Sequence, residues 1–117
     1  MTQPFSIAQT QLVLRPDLSI SQKKLKALCD CWQIVELACF GSVLRDDFRP
    51  DSDIDLLVTW NPSVRWTLLD LAQMQFDFEA LLERSVDLVS RRAIEQSDNP
   101  LRRAAILNTA TPIYRQT

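Results

Sequence analysis

Histidine is absent from this 117-residue chain, and glycine occurs only once. Without an imidazole, Ser–His and Cys–His nucleophilic schemes are excluded, and most zinc sites lose their usual ligand. No apolar run approaches the roughly 20 residues that a membrane-spanning helix needs. Residues 1–19 also lack the basic-then-apolar layout of a signal peptide. We therefore expect a cytoplasmic protein that does not enter a membrane.

Cysteine is sparse, and no CxxC pair occurs among Cys29, Cys31 and Cys39. An odd number of cysteines in such a chain predicts reduced thiols, with Cys39 as a small buried apolar residue at the end of a strand. The formal net charge is −2 and the pI about 5.0. This balance argues against a general nucleic-acid coat protein, so no direct nucleic-acid partner is expected.

The chain's size and pattern predict one α/β domain covering residues 1–117. Residues 1–18 form an N-terminal extension whose weak alternation leaves open an edge strand, a short helix or an arm. Apolar periodicity and turn residues predict three strands, three long helices and an irregular tail. The strands are 34–40, 53–60 and 85–90, the helices are 19–32, 67–83 and 99–108, and the tail is 111–117.

A short segment with paired acids carries the clearest functional signal of the chain. Gly41-Ser42 is followed, after ten residues, by Asp53-Ile54-Asp55 at the start of an apolar strand. Alternate residues of a strand share a face, so the two aspartates point the same way about 7 Å apart. Two carboxylates in this arrangement can bind a pair of divalent cations.

The lone glycine stands where a strand gives way to a brief predicted helix, residues 42–47, with Ser42 as its N-cap. Gly41 is either an ordinary turn glycine or a site of close approach to a ligand, and the acids that follow favour the ligand. Free N–H groups and a hydroxyl at this point form a cradle for phosphate oxygens. Arg45 is placed to steady a triphosphate held there.

A third acid, Asp87, lies within the apolar strand 85–90. A charge in such a strand is costly unless it is paired or bound to a metal. In a two-metal site with ions about 3.5–4 Å apart, Asp53 and Asp55 would bridge two Mg²⁺ ions, and Asp87 would complete the set or accept a proton from the attacking hydroxyl. The pattern therefore indicates phosphoryl or nucleotidyl transfer.

Two simpler interpretations apply to the same acids. Asp51, Asp53 and Asp55 match the first ligand positions of an EF-hand, but Leu56 and Pro62 stand where its glycine and bidentate glutamate are required. For Asp46 and its neighbour in sequence, an acidic surface loop is the simplest interpretation.

The combination of Gly41-Ser42, ten residues and Asp53-Ile54-Asp55 resembles the DNA polymerase β-like nucleotidyltransferase superfamily. The setting GSVLR…RPDSDIDLLV is similar to its smallest members, the minimal nucleotidyltransferases. The resemblance extends over residues 25–114 and includes Asp87 and the NPLRRAAIL…Y segment. The chain departs from the usual GSxARG at Leu44 and Asp46, and an acid there would repel a triphosphate.

The resemblance implies a small mixed β-sheet flanked by helices, with catalytic acids Asp53, Asp55 and Asp87 binding two Mg²⁺ ions. It also implies ATP as the substrate, bound through Gly41, Ser42 and Arg45, and pyrophosphate as the leaving group. Larger relatives carry an acceptor-binding domain for which this chain has no residues. Minimal members are paired with a helical HEPN-type toxin, which they neutralise by adenylylating a tyrosine.

Three hypotheses follow from the sequence. The first is a magnesium-dependent protein adenylyltransferase that acts as an antitoxin. The second is a binding module that inhibits its partner by contact alone. The third is nucleotidyl transfer to a small molecule such as an aminoglycoside, against which the length of the chain argues.

Overall fold

The structure, a computed structural model, describes residues 6–8 and 11–116, and it contains two β-sheets and four helices in this part of the chain. The strands are β1 (Ser6–Ala8), β2 (Gln11–Arg15), β3 (Leu18–Ser21), β4 (Ile34–Phe40), β5 (Ile54–Trp60), β6 (Val86–Ser90) and β7 (Thr111–Arg115). The helices are α1 (Gln22–Cys31), α2 (Leu68–Leu82), α3 (Arg91–Glu95) and α4 (Pro100–Leu107), and a single 3-10 turn covers Gly41–Leu44.

The main sheet has the strand order β6-β5-β4-β7. Strands β5 and β6 are parallel, whereas β4 is antiparallel to both β5 and β7. The predicted mixed sheet flanked by helices is therefore confirmed. The two central strands, β4 and β5, are apolar on both faces because helices cover each side, as expected for strands buried within a sheet.

Alternation along the central strands separates two cores. One face carries Ile54, Leu56 and Val58, which are almost completely buried and pack with Met74 and Phe78 of α2. The opposite face carries side chains that form a second cluster with α3 and α4: Ala38, Phe40, Leu57, Ile94 and Ile106. Asp55 and Leu57 are two positions apart on β5, so Asp55 points to this second face.

Two predicted helices were correct in position and cap. Helix α2 has Thr67 as N-cap in a capping box with Asp70, and α4 has Asn99 as N-cap followed by Pro100. The predicted start of α1 at residue 19 was wrong. Residues up to Ser21 belong to β3, and the Ser21 side chain accepts a hydrogen bond from the Lys24 N–H at 3.3 Å, which sets the start of the helix at Gln22.

The predicted helix over residues 42–47 was also wrong, because the segment is a 3-10 turn that begins at Gly41 and is capped by no side chain. The tail predicted to be irregular forms β7 up to Arg115, and α3 was not foreseen. In the N-terminal extension, residues 11–15 form β2 and Leu18 opens β3, while residues 1–5 and 9–10 lie outside the described part. None of the described helices is long and apolar enough to cross a bilayer.

Candidate active site

The acids of the two parallel strands lie side by side. Asp55 on β5 and Asp87 on β6 are Cα partners in the register, and neighbouring strands are about 4.8 Å apart. Asp55 is partly buried, whereas Asp87 is exposed. Asp53, which was predicted to lie within the strand, precedes its first residue, Ile54, and is exposed.

The other two acids of the set contribute to the electrostatic environment of Asp55. Burial raises the pKa of Asp55, and the negative charges of Asp87 and Asp53 raise it further. The Arg45 guanidinium opposes this shift and lowers the pKa. The site therefore carries excess negative charge, which a cation would compensate.

Gly41 lies against the same carboxylate. Its backbone has φ +75°, a conformation that side chains with a Cβ rarely adopt. A Cβ at this position would overlap Oδ2 of Asp55 and lie 3.3 Å from its Cγ. The lone glycine is therefore a turn glycine with a left-handed backbone, and the Asp55 side chain lies against it. Close approach of a ligand to Gly41 stays a prediction.

The segment after the glycine is short and partly exposed. The Arg45 N–H donates to the Ser42 carbonyl at 2.9 Å, closing the 3-10 turn, while the Ser42 side chain stays partly exposed. The Arg45 Nε donates to Asp47 Oδ1 at 3.0 Å, and both side chains are exposed. Arg45 is thus held by a surface ion pair, of a kind worth about 1 kcal/mol or less, which a stronger anion can displace.

The donor set suits a hard cation, although it is not a finished metal site. Carboxylate oxygens are the ligands that Mg²⁺ prefers. Within residues 11–116, however, no three acid or thiol side chains converge closely enough to bind a metal ion as they are placed. Since Asp53 and Asp87 are exposed, their side chains can turn towards Asp55 without breaking a packed core. The EF-hand alternative fails, because β5 begins at Ile54, where a calcium loop would continue.

Two arginines contact the loop that joins Gly41-Ser42 to Asp53, and sequence reasoning missed both. Arg15 of β2 and Arg84, which follows α2, lie over the ring of Phe48 and donate hydrogen bonds to backbone carbonyls of this loop. Both are far from the loop in sequence. The pattern of the chain therefore carried no signal for these contacts.

A large open cleft lined by described residues lies elsewhere. It has a volume of about 920 Å³ and is lined by the ends of β5 and β6, with Trp60, Trp66 and Arg92 among its walls. None of the predicted acids lines it. Trp66 packs edge-to-face on Trp32 with a centroid distance of 5.2 Å, and Trp60 and Trp66 both contact the main core, as packing residues do.

Comparison with known proteins gives a consistent result at the level of sequence. The family model described as "Nucleotidyltransferase domain" matches residues 21–111. The protein adenylyltransferase MntA of Thermococcus cleftensis is 34% identical over 86 residues, which cover 72% of this chain and 83% of the relative.

Solved structures agree in fold. A chain described as a minimal nucleotidyltransferase has a TM-score of 0.60 and 38% identity, covering 79% of this chain and 87% of that one. A toxin–antitoxin structure with AMP-PNP has a TM-score of 0.61 at 17% identity, over 82% of this chain and 74% of that one. The toxin–antitoxin pair MntA–HepT has a TM-score of 0.54 at 16% identity, over 81% and 70%.

Proposed function

This chain belongs to the nucleotidyltransferase domain family, and we propose that it transfers AMP from ATP to a tyrosine hydroxyl of a HEPN-type helical toxin, acting as an antitoxin in the cytoplasm. The observation that carries the proposal is the parallel pairing of Asp55 with Asp87 beside the Gly41 turn. This arrangement places two acids of one face next to a partly exposed turn.

Each residue of the site has a proposed role. The Gly41-Ser42 turn binds the β- and γ-phosphates, and Arg45 leaves Asp47 to contact the triphosphate. The acceptor hydroxyl attacks the α-phosphorus, a new P–O bond forms, and the bond to pyrophosphate breaks. Asp87 takes the proton of the hydroxyl, for which its exposure on β6 is suitable.

Asp53, Asp55 and Asp87 are also the residues that would hold Mg²⁺. When bound, the metal neutralises phosphate charge and orients the triphosphate for in-line displacement. Burial and, after it, the negative charges of Asp87 and Asp53 raise the pKa of Asp55. A divalent cation would be favoured among these clustered carboxylates.

A protein acceptor is supported by exposed apolar side chains on α2. Leu69 and Phe76 are 83% and 67% exposed and lie two helical turns apart, so they share a face. Large apolar side chains grouped on a surface are typical of protein interfaces. The relative named a protein adenylyltransferase and the solved toxin–antitoxin pair are consistent with such a partner.

The test is transfer of labelled AMP from ATP, with magnesium, to a purified HEPN-type toxin encoded next to this chain. We expect labelling by the wild type, and loss of at least about a hundredfold in Asp53→Asn and Asp87→Asn. Asp51→Asn is the matched control, since it removes an exposed acid of the same loop and should leave transfer unchanged. No labelling by the wild type would refute the activity, and full labelling by Asp53→Asn would refute the site.

A second function, inhibition by contact alone, is favoured by one observation. Asp46, an exposed acid directly after Arg45, would repel a triphosphate bound at the Gly41-Ser42 turn. The double variant Asp53→Ala, Asp55→Ala separates the two functions. If it still neutralises the toxin in cells as fully as the wild type does, contact inhibition is the function.

A further inference from the structure

We infer that Arg15 and Arg84, acting through Phe48, are positioning residues that hold the loop between the phosphate turn and the catalytic acids. We call the segment 45–53 the connecting loop. The inference rests on the proposed function for its link to ATP, but its structural part stands without it. Arg15 lies on β2, outside the residues that the family model matches.

The first observation is a pair of cation–π contacts on one ring. The Arg84 Cζ lies 4.2 Å from the centroid of the Phe48 ring, and the Arg15 Cζ lies 4.9 Å from it. Both distances are within the range in which a guanidinium is attracted to an aromatic face. Phe48 is partly buried and packs against the main core. One side chain of the connecting loop is thus held by two cations, one from β2 and one from the segment after α2.

The second observation is that the guanidinium groups of Arg15 and Arg84 also donate hydrogen bonds to backbone carbonyls before and after Phe48 in the sequence. Arg15 Nη1 donates to the carbonyls of Val43 and Arg45, each at 3.0 Å. Arg84 Nη2 donates to the carbonyls of Arg49 and Ser52, at 2.5 and 2.9 Å. Backbone carbonyls in a segment without regular structure need such donors. Arg15 therefore secures the start of the connecting loop, and Arg84 its end.

These contacts bear on the site because of where the connecting loop begins and ends. It leaves the Gly41–Leu44 turn and arrives at Asp53, directly before β5. Asp55 lies in the sheet and Gly41 directly follows its strand β4, whereas Asp53 and Arg45 lie on the loop itself. Ordering a loop residue costs roughly 1–2 kcal/mol. If the connecting loop is already ordered in the free protein, the free energy of ATP binding does not include the cost of ordering it. Loss of the arginine contacts should therefore weaken ATP binding more than it slows AMP transfer from bound ATP.

A purely structural role would produce a different result. If the arginines only stabilised the fold, their removal would lower the melting temperature and leave hydrogen exchange in the connecting loop and the affinity for ATP unchanged. Hydrogen exchange of the amides of residues 45–53, compared with those of β4 and β5, reports on the loop alone. Calorimetric titration with ATP and Mg²⁺ reports on binding without requiring transfer or a toxin.

The variants are Arg15→Ala and Phe48→Leu, which removes the ring but keeps an apolar side chain, with Phe48→Tyr as the conservative rescue. Arg65→Ala is the matched control, because Arg65 also donates to two backbone carbonyls, those of Pro62 and Val64, but lies at the cleft rather than the connecting loop. We expect at least tenfold faster exchange in the loop and about five- to tenfold weaker ATP binding in the first two variants, as when a preorganised loop is released. Phe48→Tyr and Arg65→Ala should match the wild type.

Unchanged loop exchange in Arg15→Ala and Phe48→Leu would overturn the inference, and so would faster exchange with unchanged ATP binding. The outcome is distinguishable from failure of the proposed function. A chain that never transfers AMP would still show the exchange pattern, and a chain that transfers AMP could still lack it. Should Arg15→Ala fail to fold, Phe48→Leu and Phe48→Tyr decide the question by themselves.

Discussion

Replacing Asp55 with asparagine should stabilise this protein while removing its activity. Asp55 is partly buried, it lies opposite Asp87 in the parallel register, and its pKa is raised by burial and by the neighbouring acids. The folded chain therefore bears an electrostatic cost when Asp55 is ionised. Asparagine keeps the shape and removes the charge.

The size of the gain follows from the spacing of the strands. At about 5 Å, two unit charges repel by about 1 kcal/mol in water and about 3 kcal/mol at an effective dielectric constant of 20. Asp87 is exposed, so water screens the pair and the lower value applies. We expect Asp55→Asn to increase the free energy of unfolding at pH 7 by about 1 kcal/mol, which for a chain of this length raises the melting temperature by about 4 °C.

The pH dependence has a definite sign. Because the pKa of Asp55 is raised in the folded chain, the folded state binds this proton more tightly than the unfolded state does. The electrostatic cost is absent at pH values below the ordinary pKa of a carboxyl group. It develops as the pH rises from that value through the raised pKa of Asp55, and it is fully present at neutral pH. The advantage of Asp55→Asn should therefore grow from near zero at low acid pH to its full value at pH 7.

Thermal unfolding of the wild type and Asp55→Asn between pH 3 and pH 8 measures this difference, with Asp51→Asn as the control for an exposed acid. Magnesium should raise the melting temperature of the wild type and not that of Asp55→Asn, because only a site with the carboxylate gains from binding. A variant that is less stable than the wild type at pH 7, or whose advantage does not change with pH, would refute the reasoning.

Three further predictions concern Asp46, Gly41 and the thiols. Asp46→Asn should lower the KM for ATP by about two- to fivefold, the effect of one screened charge near a triphosphate; steady-state kinetics test this, and an unchanged KM contradicts it. Gly41→Ala should lower the free energy of unfolding by roughly 2 kcal/mol or more, because a positive φ costs 1–2 kcal/mol and its Cβ would overlap Asp55; a loss below about 0.5 kcal/mol in urea unfolding, the range of ordinary surface changes, counts against it. Of the thiols, only exposed Cys31 should react quickly with a disulfide reagent in the native state, since burial raises the pKa of Cys29 and Cys39 to about 12; fast reaction of three thiols would exclude this.

The sequence predicted the central elements well because each has a strong local signal. The apolar run of β4, the capping box of α2 and the Asn-Pro start of α4 all appear where expected. Strand β7 was missed because it contains Pro112 and is short, which is typical of an edge strand rather than of a central one. Its order comes from distant contacts, such as the 3.0 Å hydrogen bond from the Tyr114 hydroxyl to Asp30.

The candidate site was predictable only in part for the same reason. The spacing of Gly41 and the two aspartates is local, and Asp87 could be inferred from one charge in an apolar strand. The register that places Asp87 opposite Asp55 is set by strand pairing, which no local pattern encodes. The arginine contacts to the connecting loop join residues 28 to 35 positions apart in sequence. Such long-range contacts form only once the whole chain is folded.

The length of the connection between β5 and β6 also determines which face of the sheet Asp87 points to. Since β5 and β6 are parallel, the chain must return across one face of the sheet, and α2 makes that return. The Glu79 carboxylate accepts a hydrogen bond from the Val86 N–H at 2.9 Å, which ties the helix to the first residue of β6. An insertion of one residue between them would turn Asp87 to the opposite face, under the helix. The length of α2 and of the segment that follows it is therefore under the same constraint as the acids themselves.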